Sequence, residues 1–182
     1  MAANNPNNVS LFNADYKFEL KYIKKPYDIL MIMQKDLGII NFCYAFELCT
    51  IPDDCKIFNI GMSTGMDSRL YRKLLYIPGF GIDKSRTTNG KDMEDIVIPA
   101  VKAMHDNIYV HRTDIVAHIW DTTKMERTKF ASSPTAETEK KLVRDFIDTY
   151  KRLPVGNIQN PCKRNLGGPD KEHFDSLFDE VA

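Results

Sequence analysis

The chain is short of several features that whole classes of protein require. Its 182 residues include only 4 cysteines, and 25 Lys and Arg balance 25 Asp and Glu, so neither sign of charge is in excess. A membrane-spanning helix needs about 20 apolar residues, whereas apolar runs such as the one at 29–33 are far shorter. A disulfide framework is typical of small secreted chains. We therefore expect no membrane contact and reduced cysteines.

The N-terminal region also lacks the marks of a secretory signal. Its first fifteen residues are polar and rich in Asn, without the charged and apolar regions of a signal peptide. We expect a flexible arm on a soluble, intracellular protein. With no net charge, any contact with a polyanion must come from a local basic patch. Basic residues at 124, 127, 129, 140, 141 and 144 are candidates, although such a set is also typical of a solvated face.

What is present is typical of one folded domain, with 43% hydrophobic and 27% charged residues. Two β-rich stretches, 38–48 and 57–62, flank the turn formers Pro52 and Asp53, which predicts a β-hairpin. Apolar residues at helical spacing predict helices at 66–76, at 91–105 in spite of Pro99, and at 135–153. Strand material is expected at 108–120, and a short helix at 171–181. The order predicts an α+β fold (an α/β sandwich) with a small antiparallel sheet built on the hairpin and flanked by helices.

Helical periodicity gives some charged residues a direction. Arg69 and Lys73 lie about 40° apart on one margin of the buried face of the 66–76 helix. In the 135–153 helix, Glu139 shares the face of Leu142 and Val143, whereas Glu137 points to the other side. A carboxylate that faces the core needs a partner. Glu139 is therefore a candidate site residue.

These elements, in this order, resemble the GIY-YIG nuclease superfamily. Phe58-Asn59-Ile60-Gly61 is similar to the second-strand motif, and Arg69 follows Gly61 by eight positions, the spacing of the family's arginine. The helix of Glu139, followed by Asn157, is similar to the family's glutamate helix and its trailing asparagine. The resemblance covers about 38–157, and the later Glu172-His173-Phe174 resembles the ending of a branch common in phages and large viruses. It divides the chain into an N-terminal arm and extension (1–37), a nuclease-like domain (38–157) with an insertion (78–107), and a C-terminal tail packing on the domain (158–182).

The first-strand tyrosine of the motif has two candidate positions. Gly38-Ile39-Ile40 keeps the glycine but lacks the tyrosine, whereas Phe42-Cys43-Tyr44 keeps the tyrosine but lacks the glycine. With the turn centred near Asp53, Tyr44 falls opposite Gly61, and Ile40 would lie beyond the end of the second strand. We choose Tyr44.

The resemblance implies a metal-dependent endonuclease that hydrolyses DNA. Glu139 would bind one Mg²⁺ or Mn²⁺ through hard oxygen ligands, Arg69 would clamp the phosphate, and Tyr44 would orient or deprotonate the attacking water. Lys73, where relatives often carry His, would assist the leaving group or a phosphate. We expect Tyr44, Arg69 and Glu139 to converge in the fold, with basic residues around them.

One departure from the family pattern keeps other functions open. The second tyrosine is replaced by Asn59, or by Phe58 in the alternative register, and Tyr71 or Tyr76 would have to supply a hydroxyl. A second hypothesis is therefore a catalytically silent relative that binds DNA or assembles with a protein. A third is a zinc-stabilised binding domain, because Cys43, Cys49 and Cys55 are evenly spaced, although zinc ligands usually come in closer pairs.

Overall fold

The structure is a computed structural model that describes residues 3, 5–65, 69–81, 90–126 and 133–157. The predicted helix at 171–181, and the whole of the tail at 158–182, lie outside the described residues.

Four strands form one antiparallel sheet in the order β1-β4-β2-β3. They are β1 (Tyr16–Glu19), β2 (Phe42–Leu48), β3 (Ile57–Ser63) and β4 (Ile115–Asp121). The hairpin of β2 and β3 pairs Tyr44 with Gly61, as the turn position predicts, and a register shift follows Phe46. β2 therefore lies inside the sheet between β4 and β3, and β3 lies at an edge.

Within the described ranges, four α-helices accompany the sheet: α1 (Pro26–Met31), α2 (Arg69–Leu74), α3 (Ile98–Met104) and α4 (Pro134–Tyr150). α1 runs on into a π-helical segment, Ile32–Asp36, and another π-helical segment, Met93–Val97, precedes α3. Pro99 lies in the first turn of α3, which is a position where proline is tolerated. The helices and the antiparallel sheet confirm the predicted α+β fold class.

The two faces of the sheet are covered by different helices. On the first face, Tyr44 and Phe46 pack with residues of α1, α2 and α3, including Ile29, Leu70 and Val101. On the second face, the alternate β2 residues Cys43 and Ala45 pack against α4 through Leu142, Val143, Phe146 and Ile147. Two apolar layers therefore enclose the sheet, and both helices α2 and α4 contact the edge strand β3.

The N-terminal residues are packed, which differs from the flexible arm expected from their composition. Leu11 is 2% exposed, and its backbone N–H donates to an Oδ of Asp145 in α4 at 3.1 Å. The Trp120 indole donates to the Ser10 carbonyl at 2.9 Å. Further along, β1 adds an edge strand by pairing with β4. Few apolar residues are enough to dock this segment because each meets a partner distant in sequence.

Among the described residues, no helix is both long and apolar enough to cross a bilayer.

Candidate functional site

The candidate site is centred on the contact between Tyr44 and Gly61. The Tyr44 side chain crosses to β3 so closely that a Cβ built on Gly61 would lie 2.5 Å from its hydroxyl oxygen. Such a separation is a severe overlap between buried atoms, so position 61 must be glycine while Tyr44 keeps this rotamer. The glycine of the motif is therefore explained by the position of the tyrosine hydroxyl.

Asn59 lies two residues before Gly61 on β3, on the same face of the sheet as Tyr44. It is 2% exposed, and its Oδ1 accepts a hydrogen bond of 3.1 Å from Lys73 Nζ. Its Nδ2 donates to the Gly156 carbonyl at 3.1 Å and to Asn157 Oδ1 at 3.3 Å. Every polar group of this amide is engaged, so Asn59 fixes Lys73 rather than presenting a free group where the resemblance implies a tyrosine.

Helix α2 carries two basic residues to the same region. Its first residue, Arg69, is exposed, and the Arg69 backbone N–H donates to Ser63 Oγ at 3.0 Å, which ties the start of α2 to the end of β3. One turn later, Lys73 Nζ lies 5.8 Å from the centroid of the Tyr44 ring. Arg69 is thus at the solvent boundary, and Lys73 is further inside.

Sequence reasoning missed one acidic residue of the site. Asp92 precedes the π-helical segment of the region predicted as an insertion, and its Oδ2 lies 3.9 Å from Lys73 Nζ. The side chains of Lys73 and Asp92 are 16% and 35% exposed. No local pattern in the sequence marks Asp92, because its partner lies 19 positions earlier.

Glu139 approaches from the opposite face of the sheet. It lies in α4, which packs on the Cys43 face, whereas α2 packs on the Tyr44 face. Both helices contact the edge strand β3, and the Glu139 carboxylate raises the pKa of Cys43 on one face and of Tyr44 on the other. The expected convergence of Glu139 with Arg69 stays a prediction, because α2 and α4 pack on opposite faces of the sheet; Glu139 is half-buried in α4.

Burial and charge set the protonation states of two inner groups. Burial raises the pKa of Tyr44 well above its usual range, the Glu139 carboxylate raises it further, and the Arg69 guanidinium lowers it. Burial lowers the pKa of Lys73, opposed by Asp92 and Glu139, while Arg69 lowers it further. Tyr44 is therefore held as the neutral phenol, and Lys73 is a stronger acid than an exposed lysine.

Asn157, which the resemblance compares with a trailing asparagine, is bonded to the backbone of the edge strand. Its Oδ1 accepts from the Ile60 N–H at 2.9 Å, and its Nδ2 donates to the Ile60 carbonyl at 3.1 Å. The Gly156 N–H adds a bond of 2.7 Å to the Phe58 carbonyl. This segment after α4 therefore covers the outer edge of β3 beside Asn59.

Other sequence candidates lie elsewhere or are engaged. His118 in β4 lies 2.6 Å from a carboxylate oxygen of Glu47. Tyr76 is buried in the core, and the Tyr71 ring meets Tyr27 edge-on at 6.2 Å.

The predicted basic patch is partly neutralised within α4. Lys140 Nζ lies 3.4 Å from Glu137, and Lys141 pairs with Asp145. Positions 127 and 129 of the patch lie outside the described residues. The α4 part of the patch therefore offers little uncompensated charge.

The carboxylate fits the ion that the resemblance implies. The part of the chain that the structure describes holds no group of three or more His, Cys, Asp or Glu residues able to ligate a metal. Mg²⁺ is often held by one or two carboxylates, with water and substrate phosphates completing its shell. Glu139, a half-buried carboxylate, is suited to that mode of binding. The three described cysteines are free thiols, with Cys43 buried in β2 and Cys49 and Cys55 flanking the hairpin turn.

No protein-family profile, no curated protein and no solved structure matches this chain.

Proposed function

We propose that this protein is a divalent-metal-dependent endonuclease of the GIY-YIG type that hydrolyses phosphodiester bonds in DNA. The observation that carries the proposal is the close crossing of the Tyr44 hydroxyl to Gly61, together with the charges of Glu139 and Arg69, which raise and lower the pKa of that phenol from helices on opposite faces of the sheet. A cation for phosphate oxygens and a carboxylate for a divalent ion are the two charges that phosphodiester hydrolysis uses, and this supports the proposal.

The chemistry divides among the side chains by their exposure. Arg69, at the solvent boundary, would hold phosphate oxygens and stabilise the charge that develops on them. Glu139 would hold Mg²⁺ or Mn²⁺, and the ion when bound supplies a Lewis acid at the phosphate. Arg69 and Glu139 thus account for charge stabilisation from the two sides of β3.

Tyr44 would orient the attacking water, Lys73 would donate a proton to the leaving oxygen, and the proton that the water releases would pass to solvent. Because its pKa is raised, Tyr44 is a phenol, which orients the water by hydrogen bonding and is a poor base. Because its pKa is lowered, the Lys73 ammonium is a suitable donor of a proton to the leaving oxygen. Asn59 and Asp92 would hold Lys73 in place through the contacts at 3.1 and 3.9 Å.

A second candidate function is supported by the burial of the innermost residues. Tyr44 is 1% exposed and Asn59 is 2% exposed, and Asn59 stands where the resemblance implies a second tyrosine. A protein that retained this architecture only for its shape would bind DNA, or a protein partner, without cutting.

Incubation with supercoiled plasmid separates the two functions. The nuclease proposal expects nicked or linear product with Mg²⁺ or Mn²⁺, none with EDTA, and none from a folded Glu139→Ala variant. DNA binding with no product from wild type under any divalent ion would support the silent binding protein instead.

A further inference from the structure

A short segment that ends in the first turn of α1 exposes aromatic rings and lysines together. Residues 21–27, here called the strap, read Lys-Tyr-Ile-Lys-Lys-Pro-Tyr. Tyr22 is 73% exposed and Tyr27 is 55% exposed, and the strap lysines are exposed as well. Single exposed aromatic residues are ordinary, but two within six positions, interleaved with three lysines, are unusual for a surface without a ligand.

The backbone of the strap is anchored by buried side chains and by hydrogen bonds from Arg112. Ile23 and Pro26 are buried. Arg112 Nη1 donates to the carbonyls of Leu20 and Ile23 at 2.9 and 3.0 Å, and Arg112 Nε donates to the Gly79 carbonyl at 2.9 Å. Exposed rings on a backbone that is already ordered lose little conformational entropy when a ligand binds.

The charge of this region favours an anionic ligand. The strap contains three lysines and no acidic residue, while Glu19 precedes it and Asp28 follows it, with Asp28 Oδ2 accepting from the Lys25 backbone N–H at 3.0 Å. Lys21 lies 3.5 Å from Glu19, with its Nζ 4.9 Å over the Tyr22 ring, so Lys24 and Lys25 carry most of the excess. One face of the Tyr22 ring is thus next to a cation, and the other face is available for stacking.

The strap is connected to the candidate site. It leads directly into α1, which packs with α2 on the Tyr44 face of the sheet. The Tyr27 ring meets Tyr71 edge-on at 6.2 Å, and Tyr71 lies two positions after Arg69 in α2. A ligand lying along the strap would therefore reach the helix that carries the phosphate-binding candidate.

We propose that the strap is a binding platform for single-stranded DNA, with bases stacked on Tyr22 and Tyr27 and phosphates against Lys24 and Lys25. The proposal deepens the proposed function and rests on it for the choice of DNA. Exposed aromatic rings stack on unpaired bases, whereas bases in a duplex already stack on each other. The favoured substrate is therefore DNA with an unpaired strand next to the cleavage site, such as a flap or a branch.

The test measures binding of fluorescein-labelled dT15 by fluorescence anisotropy in EDTA, where no cleavage is required. The double variant Tyr22→Ala/Tyr27→Ala is expected to bind at least about tenfold more weakly than wild type, since each stacked ring contributes substantially. The double variant Tyr22→Leu/Tyr27→Leu, which keeps the apolar bulk of the side chains but not their aromatic rings, is expected to lose dT15 binding similarly. Phe12→Ala is the matched control, because Phe12 is also 62% exposed but adjoins Leu11 in the other apolar layer.

A second arm tests the lysines. Lys24→Ala/Lys25→Ala should bind more weakly and flatten the dependence of log affinity on log salt by about 0.7 for each phosphate that the variant no longer neutralises. Duplex DNA should bind more weakly than dT15 and should not depend on the two tyrosines.

Several results would overturn the platform. One is unchanged dT15 affinity in folded tyrosine variants, or a loss of dT15 affinity in Phe12→Ala that equals the loss in the tyrosine double variant. Another is an RNA oligonucleotide that binds more tightly than dT15. The last is binding to phosphatidylserine vesicles, and not to dT15, that depends on the two tyrosines. The proposed nuclease function fails separately, if wild type bound to DNA gives no product with any divalent ion.

Discussion

At the scale of single residues, the candidate site depends on the close contact between Tyr44 and Gly61. A Cβ at position 61 would lie 2.5 Å from the Tyr44 hydroxyl and 2.6 Å from its Cζ. We expect Gly61→Ala to destabilise the protein by about 2 kcal/mol, the usual cost of overpacking a core. Urea unfolding measures this change.

A double-mutant cycle identifies the cause of that loss. In a Tyr44→Leu background the hydroxyl and ring atoms that collide are gone, so Gly61→Ala should cost at least about 1 kcal/mol less than in wild type. If Gly61→Ala costs the same unfolding free energy in both backgrounds, the Tyr44 rotamer is not the reason that position 61 requires glycine.

The protonation of Tyr44 gives a prediction for pH. Burial raises its pKa in the folded protein above the ordinary value of 10.0. The unfolded chain therefore loses the phenolic proton first, and the stability that Tyr44 contributes is complete below pH 10 and is lost as the pH rises above it. We expect the difference in unfolding free energy between wild type and Tyr44→Phe to fall by up to about 1.4 kcal/mol per pH unit there.

Urea unfolding at several pH values between 8 and 11 measures that difference. A flat difference for Tyr44→Phe would mean that the phenol is not held neutral by its surroundings.

Residue types and spacings in the sequence predicted part of this detail. The turn at Pro52 and Asp53 determines the pairing of Tyr44 with Gly61, because a hairpin's register follows from its turn. The contact of Asp92 with Lys73 could not be predicted in the same way. It depends on how the residues after Gly90 return to the sheet, which no local pattern encodes.

At the scale of elements, the edge strand β3 is held in place by the segment that follows α4. Asn157 makes two hydrogen bonds to the Ile60 backbone and one to Asn59. We expect Asn157→Ala to destabilise the protein by about 2 kcal/mol, because it leaves backbone and side-chain polar groups of the edge strand without these partners.

Thr149→Ala is a control for that measurement. Its hydroxyl donates to the Asp145 carbonyl within α4 at an exposed position, so its loss should change stability by about 0.5 kcal/mol or less. If both variants have equal thermal midpoints, the segment after α4 does not hold the edge strand. Plasmid cleavage by Asn157→Ala should also fall, since Asn59 and therefore Lys73 would shift.

Elements with strong periodicity were predicted well, and elements defined by distant partners were not. The helix predicted at 135–153 is Pro134–Tyr150, with Ser133 Oγ accepting from the Ala136 N–H at 3.2 Å to begin it. In contrast, the docking of residues 5–15 depends on α4 and β4, more than 100 positions away. A polar composition predicts a flexible segment only when no such partner exists.

At the scale of the whole molecule, the two helices that carry the charged candidates lie on opposite faces of one sheet. The sequence predicted the α+β class, which the sheet and helices confirm. It also predicted that Arg69 and Glu139 converge on Tyr44, but α2 and α4 pack in separate apolar layers. Helical periodicity orients a side chain only relative to its own helix, and the face of the sheet that each helix covers is not encoded in that local pattern.

The central claim is that Glu139 is the metal-binding carboxylate of a nuclease. Its nearest matched control is Glu137, two positions earlier on α4, also half-buried but 3.4 Å from Lys140. The most direct measurement is the rate of Mg²⁺- or Mn²⁺-dependent plasmid cleavage by wild type, Glu139→Gln and Glu137→Gln, each with its thermal midpoint confirmed. The account predicts that Glu139→Gln abolishes cleavage while remaining folded, because a neutral amide is a poor substitute for an anionic ligand, and that Glu137→Gln stays within a few fold of wild type. Cleavage that survives in Glu139→Gln, or that is lost only in Glu137→Gln, would contradict it.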